Sequence, residues 1–138
     1  MIIELNIPIR AIPHQSVRMT RSGHAYQPKK ITDYKDEIRE IVGQQLPDDF
    51  VIIANGTPIK IERLHYYFEI PKSWSKKKKA ETKFMVNKPD LHDNLNKALF
   101  DALEGLVWES DHNICEMTDL RKSYADRDYI VITIRTLC

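Results

Sequence analysis

The sequence predicts a single α+β domain, in which a mixed, mostly antiparallel β-sheet carries two main helices. Apolar residues recur at helical spacing in the segments 31–46 and 93–106. Residues 59–70 are rich in β-branched and aromatic residues, as is typical of strands, and we predict further strands at 2–9, 114–123 and 129–137. A chain of 138 residues with 42% apolar and 30% charged residues fits one globular domain, 1–138, and excludes a disordered or fibrous protein.

The first quarter of the chain is predicted to hold an edge strand, a basic loop and a helix. Pro8 lies within residues 2–9, and proline is tolerated mainly in edge strands. The segment 31–46 should then cover one face of the sheet, with Thr32 or Asp33 as its N-cap. The loop between them, residues 14–30, has no acid and four basic residues: Arg18, Arg21, Lys29 and Lys30.

The middle of the chain contains a hairpin signal and a lysine-rich segment. Asn55-Gly56 predicts a two-residue turn that joins the apolar run 50–54 to a long strand over 59–70. The apolar parity of that strand changes near Arg63, which indicates a bulge. Residues 71–88 hold seven lysines and one acid, so we expect a mobile loop with a helical turn.

The last third is predicted to begin with a helix that starts at Asp93 and ends near Gly105. Two antiparallel strands should follow, joined by a polar turn at 125–128. Because residues 130–134, IVITI, are too apolar for an edge, we place them near the centre of the sheet.

The net charge of +1 conceals a strong segregation of charge along the chain. Residues 1–88 contain 16 basic and 10 acidic residues, a net charge of +6, whereas residues 89–128 contain 10 acidic and four basic residues, a net charge of −6. Such asymmetry indicates contact with nucleic acid. A protein that binds nucleic acid gains nothing from ten clustered carboxylates unless metal ions mask some of them.

Other classes of protein are disfavoured. No run approaches the roughly 18 consecutive apolar residues that span a bilayer, so we expect no membrane partner. Glu4 and Arg10 interrupt the N-terminal apolar segment, which argues against a signal peptide. Cys115 and Cys138 are too few and too far apart for a disulfide scaffold or a zinc site, and a reducing cytosol is the simplest setting.

The acids of residues 88–111, KPDLHDNLNKALFDALEGLVWESD, recur at positions that can converge in space. Asp90 lies in a loop, Asp93 at a helix start and Asp111 at the start of the following strand. Together they would form an oxygen-only ligand set, which suits Mg²⁺ or Mn²⁺ and not zinc. The spacing is equally typical of a simple N-cap at Asp93 with an exposed ion pair to Lys97.

The same segment resembles the signature of the RusA-type Holliday junction resolvases, which are small bacterial and bacteriophage endonucleases. The upstream order of a strand, a basic Arg-x-x-Arg-Ser-Gly loop and a helix entered after Tyr26 to Lys30 is similar to that family's opening. The matching residues are Pro89-Asp90, Asp93-Asn94-Leu95, Lys97, Asp101-Ala102-Leu103, and Trp108 followed by Asp111.

The resemblance implies a homodimer that binds four-way DNA junctions and nicks two strands symmetrically with Mg²⁺, for which Mn²⁺ can substitute. It implies a role in recombination and repair in the cytoplasm of a bacterial or phage-infected cell. We hypothesise that Asp90, Asp93 and Asp111 ligate the metal and that Lys97 faces the scissile phosphate. Asp101 supports Lys97 or a metal-bound water, or else forms a structural ion pair.

One departure from the family pattern concerns the first acid. The family usually has one residue between its first two aspartates, whereas Leu91 and His92 both intervene here. Either the loop bulges by one residue and Asp90 is the acid, which we favour, or Leu91 occupies the position and a carboxylate is absent. His92 is a candidate general base, although loop histidines are more often simply solvated.

The proposed DNA surface combines the basic loop with the central lysine run, because phosphate neutralisation supplies most of the affinity for DNA. Trp74, Tyr26 or Phe84 would stack at an opened junction, or else serve core packing or dimer contact. Two other functions stay open: a junction-binding protein without catalysis, and a nuclease for a broader range of branched DNA. The basic residues of the surface are Arg18, Arg21, Lys29, Lys30, Lys76, Lys77, Lys78 and Lys79.

Overall fold

A computed structural model describes residues 1–14 and 18–137, with the side chains of all of these except Arg18, His92 and Asp93. The elements follow the chain in this order: β1 (Ile2–Ile7), β2 (Arg18–Met19), β3 (Ala25–Tyr26), α1 (Lys29–Gln45), β4 (Ile59–Glu69), α2 (Lys76–Glu81), a π-helical turn (Leu91–Leu95), α3 (Asn96–Leu103), a 3₁₀ turn (Asp111–Asn113), β5 (Ile114–Met117), β6 (Leu120–Ala125) and β7 (Tyr129–Thr136).

Five strands form the main sheet, which is mixed. Strand β7 lies between β1 and β4 and is antiparallel to both. The edge of β4 that faces away from β7 pairs in parallel with two strands. Residues 59–61 of β4 pair with β5, and residues 64–69 pair with β6. This arrangement confirms the α+β class, the edge position of β1 and the central position of residues 130–134.

Two predicted strand pairings are wrong. Strands β6 and β7 run in opposite directions, but β4 lies between them, so the turn at 125–128 joins strands that do not pair. The segment 50–54 does not form a hairpin with β4. Instead, the amide of Ile53 donates to the carbonyl of Val107 and its carbonyl accepts from the amide of Glu109, both at 2.9 Å.

The turn at Asn55-Gly56 is nevertheless present, because Gly56 has a φ of 87° and the amide of Thr57 donates to the carbonyl of Ala54. The predicted bulge is confirmed: the register of β4 against β7 shifts between Ile61 and Arg63.

The helices lie where the apolar spacing predicts them, with different starting points. Helix α1 begins at Lys29, directly after Pro28, and not at the predicted cap near Thr32. Its buried residues are Ile31, Tyr34, Ile38 and Val42. The helix predicted from Asp93 opens with the π-helical turn and continues as α3. Helix α3 ends at Leu103, shortly before Gly105, whose φ is 80°. None of the helices in the described ranges is long and apolar enough to cross a membrane.

The core lies between the sheet and the helices α1 and α3. Because β4 and β6 are parallel, the helical segment between them must return along the sheet in the opposite direction. Residues that precede this segment therefore lie near the carboxyl ends of these strands, and residues that follow it lie near the amino ends.

Candidate functional site

A cleft of about 340 Å³ opens at the start of the π-helical turn. It is lined by Pro13, Lys88, Pro89, Asp90 and Asn94. The amide of His14 donates to the carbonyl of Asn94 at 2.9 Å, which brings the N-terminal loop to the rim of the cleft. The predicted first acid, Asp90, is thus an exposed member of a concave site.

The π-helical turn accommodates one residue more than an α-helical turn. The amide of Leu95 donates to the carbonyl of Asp90 at 3.3 Å, a bond between residues five apart, whereas an α-helix joins residues four apart. The side chain of Leu91 packs against the core, while Asp90 lines the cleft. Leu91 and Asp90 therefore face different surroundings, the core and the cleft respectively, at a turn that holds one residue more than an α-helical turn.

The donor atoms of the cleft are of the kind that a hard divalent cation takes. Asp90 and Asn94 offer carboxylate and amide oxygens, and the other described lining residues are Pro13, Lys88 and Pro89. Among the side chains that the structure describes, no three His, Cys, Asp or Glu residues are grouped to hold a metal. The carboxylate of Asp93 lies outside that description, although its backbone belongs to the π-helical turn.

Asp111 lies at the other end of the helical segment. Its amide donates to Oε1 of Glu104 at 3.2 Å, and Glu104 directly follows α3. The 13 residues from Leu91 to Leu103 separate this end from Asp90, a length of about 18 Å at 1.5 Å per residue. The described contacts therefore do not bring Asp90 and Asp111 of one chain together.

Asp101 bridges two helices. Its Oδ2 lies 3.6 Å from Nζ of Lys35 in α1 and 3.8 Å from Nδ1 of His14. Lys97, one turn earlier in α3, is exposed. Asp101 thus forms an ion pair with Lys35, and support of Lys97 or of a metal-bound water by Asp101 stays a prediction.

The predicted DNA-binding residues lie on exposed elements. Lys76 to Lys79 form most of α2, which is capped by Oγ of Ser75 accepting from the amide of Lys78 at 3.2 Å. Arg21, Lys29 and Lys30 are exposed, and the side chain of Arg18 lies outside the described residues. The Nζ of Lys78 lies 4.2 Å from the ring centre of Trp74.

The aromatic candidates for stacking differ in their surroundings. Trp74 is half-buried and packs edge-on against Tyr124, with ring centres 4.9 Å apart. Tyr26 and Phe84 are 46% and 54% exposed. Phe84 pairs with Ser123 and has Lys83 and Arg121 beside its ring.

A second charged cluster, which no sequence motif indicates, surrounds Asp119. Its carboxylate lies 2.9 Å from Nε2 of the buried His65, 3.3 Å from Nε of Arg63 and 3.7 Å from Arg121. The hydrogen bond from His65, with further contributions from Arg63 and Arg121, lowers the pKa of Asp119 below its ordinary value of 3.8. Asp119 has a φ of 51°, a conformation that Asp and Asn tolerate better than most residues.

The fold and the cleft define a small α+β protein that presents an acid and an amide in a cleft that Lys88 also lines. Residues 8–135 match the sequence model of a family described as Endodeoxyribonuclease RusA, and the chain belongs to that family. A search of curated proteins finds no match to the chain.

Membership confirms the resemblance seen in the acidic segment. The family consists of endodeoxyribonucleases that act on Holliday junctions in recombination, bind branched DNA and depend on divalent metal. The protein is accordingly a DNA-binding enzyme of this class.

Proposed function

We propose that this protein resolves four-way DNA junctions by paired, symmetric nicks, in a reaction that requires Mg²⁺. The observation that carries the proposal is the cleft at Asp90, where an oxygen-lined site opens at the start of a helix in a chain that matches the nuclease family over residues 8–135. We place its action in the cytoplasm of a bacterial or phage-infected cell, where such junctions arise.

Asp90, directly before the π-helical turn, and Asp93, within it, are proposed ligands, and Asn94 offers a further oxygen in the cleft that Asp90 lines. A divalent ion held there would stabilise negative charge on the phosphoryl oxygens and lower the pKa of an attacking water. Lys97 is exposed one helical turn beyond Asp93, and its ammonium can donate to a phosphate oxygen at the rim of the site.

Asp111 is the third proposed ligand, and its position has a consequence for assembly. Metal–oxygen bonds to Mg²⁺ are about 2.1 Å long, so carboxylates at opposite ends of a helical segment of about 18 Å cannot share an ion. A symmetric junction also presents two strands to be cut. We therefore propose a homodimer in which Asp111 of each copy serves the Asp90 cleft of the other.

The DNA surface is proposed to run from α2 to the β2–β3 turn. The lysines of α2 are exposed, and the cleft is itself flanked by Lys88. Residues 1–88 carry the net charge of +6, which favours contact with phosphates. Of the acids in residues 89–128, the three proposed ligands Asp90, Asp93 and Asp111 are then positioned for metal rather than for DNA.

The test compares a synthetic four-way junction with a linear duplex of the same sequence in Mg²⁺. We expect nicking of the junction and not of the duplex, and loss of nicking with retained binding in Asp93→Asn. If the protein binds the junction but does not nick it in Mg²⁺ or Mn²⁺, the proposed activity is contradicted and a junction-binding protein without catalysis remains. Equal cutting of junction and duplex would indicate a broader nuclease.

A further inference from the structure

Lys122 reaches from the sheet to the segment that carries Asp90. Its Nζ donates to the carbonyl of Asn87 at 2.5 Å and to the carbonyl of Pro89 at 2.6 Å. Pro89 directly precedes Asp90 and lines the same cleft. The sequence contains no local signal for these contacts, because they join residues 35 and 33 positions apart.

The strand β6 holds this segment through Lys122 at three points. Besides the two side-chain bonds, the backbone carbonyl of Lys122 accepts from the amide of Met85 at 3.1 Å. The ammonium of Lys122 thus supplies a hydrogen bond to each of the carbonyls of Asn87 and Pro89. An ammonium has three donors, which lets one side chain satisfy both carbonyls.

The far end of the segment is fixed as well. The carbonyl of Asp90 accepts from Leu95 in the π-helical turn. Lys122 pairs in register with Tyr66 of β4, whose hydroxyl is bonded to Asn96 at the start of α3. Two neighbouring side chains on one face of the sheet therefore hold the loop before Asp90 and the helix after it.

We propose that Lys122 is a positioning residue, whose ammonium holds residues 87–89 so that the carboxylate of Asp90 faces the cleft. The expected effect of Lys122 on nicking rests on the proposed function, whereas its contact with the loop does not. Because these carbonyls engage two of the three donors of the ammonium, we assign Lys122 a role through the loop rather than on a DNA phosphate. It is thereby distinguished from the lysines of α2, which are exposed.

The first measurement is hydrogen exchange of residues 86–95 in metal-free protein, which does not depend on activity. Lys122→Met keeps the stem of the side chain and removes the donors, so exchange in this segment should become faster. Lys122→Arg restores donors and should retain much of the protection. The matched control is Lys60→Met, since Lys60 is a half-buried lysine of β4 engaged with Glu116 at 3.5 Å, and it should leave exchange in this segment unchanged.

The second measurement separates chemistry from binding on the four-way junction in Mg²⁺. Lys122→Met should lower kcat by about 10- to 100-fold, as expected when a group that orients a ligand is removed. Its junction affinity should stay within about twofold of the original, because the ammonium of Lys122 binds carbonyls of the protein and not DNA phosphates. Lys122→Arg should recover part of kcat, which a loss of bulk stability alone would not explain.

The outcomes distinguish this inference from the proposed function. If the unmodified protein does not nick junctions, the proposed function fails, and the exchange experiment alone decides whether Lys122 holds the loop. If the unmodified protein nicks junctions, the positioning role is overturned when Lys122→Met has the same exchange rate in residues 86–95 or the same kcat as the unmodified protein. Should Lys122→Met not fold, as judged by circular dichroism, Lys122→Leu, which also keeps an apolar stem and lacks the donors, carries the same comparison.

Discussion

The hydroxyl of Tyr66 donates a hydrogen bond of 2.9 Å to the side-chain oxygen of Asn96, and both residues are buried. Tyr66 lies in the central strand β4, and Asn96 is the first residue of α3. Burial raises the pKa of Tyr66, so its hydroxyl stays protonated and remains a donor. The bond joins the sheet to the helix directly after the segment that carries the proposed ligands.

Replacing Tyr66 by Phe should lower the free energy of unfolding by about 1–3 kcal/mol, because the buried oxygen of Asn96 would have no donor. Urea denaturation measures this change. Asn96→Leu combined with Tyr66→Phe should cost less than the two single changes together, since neither polar partner remains. Strictly additive costs would show that this bond does not couple the sheet to the helix.

The exposed lysines of α2 should determine the salt dependence of junction binding. Changing Lys76, Lys77 and Lys79 to Gln should weaken binding and reduce the slope of log affinity against log salt by about 0.9 for each phosphate that is no longer neutralised. Lys60→Gln, at a lysine that pairs with Glu116, is the control. An unchanged slope in the triple variant would remove α2 from the DNA surface.

Asp119 should stabilise the fold in a pH-dependent way. Its pKa is lowered in the folded protein, mainly by the hydrogen bond with His65, so the stabilisation is present above the ordinary value of 3.8 and is lost as the pH falls through the lowered value. Asp119→Asn keeps a residue that tolerates a φ of 51° and should therefore lower Tm at about pH 6, but by less at about pH 3. Glu40→Gln, on the exposed face of α1, controls for removal of a carboxylate. Equal losses of Tm at both pH values would contradict this role.

Mixed dimers test whether Asp111 serves the cleft of a second copy. Asp90→Asn and Asp111→Asn should each be inactive as homodimers. A dimer with one copy of each variant retains one cleft with both acids, so a mixture formed by refolding the two together should regain nicking of one strand. Mixtures whose mixed dimers are verified by mass spectrometry but stay inactive would indicate that the two acids do not meet across copies.

Local sequence patterns predicted the elements better than their pairing. Apolar spacing placed α1 and α3, and the parity change in β4 located the bulge before Arg63. The hairpin prediction failed because Asn55-Gly56 reports only a turn, whereas the partner of Ile53 is set by hydrogen bonds to Val107 and Glu109, more than 50 residues away.

In the candidate site, too, local motifs predicted individual residues better than contacts between distant ones. The Pro-Asp motif predicts Asp90, which lines the cleft, and Asn94 of the Asp-Asn-Leu motif lines it as well. The helical segment Leu91–Leu103 separates Asp111 from Asp90. Sequence spacing alone does not show whether two such residues are in contact. Lys122 was missed, since its contacts depend on the parallel pairing of β6 with β4.

The most direct test of the central claim is the rate at which Asp90→Asn nicks a four-way junction in Mg²⁺, with junction binding measured in parallel. Since Asp90 lines the cleft and Leu91 packs against the core, we expect nicking to fall by about 100-fold or more while binding is retained. Leu91→Asp introduced into Asp90→Asn should not restore activity, because the π-helical turn directs that position away from the cleft. Full activity of Asp90→Asn, or rescue by Leu91→Asp, would contradict the assignment of this cleft as the site of cleavage.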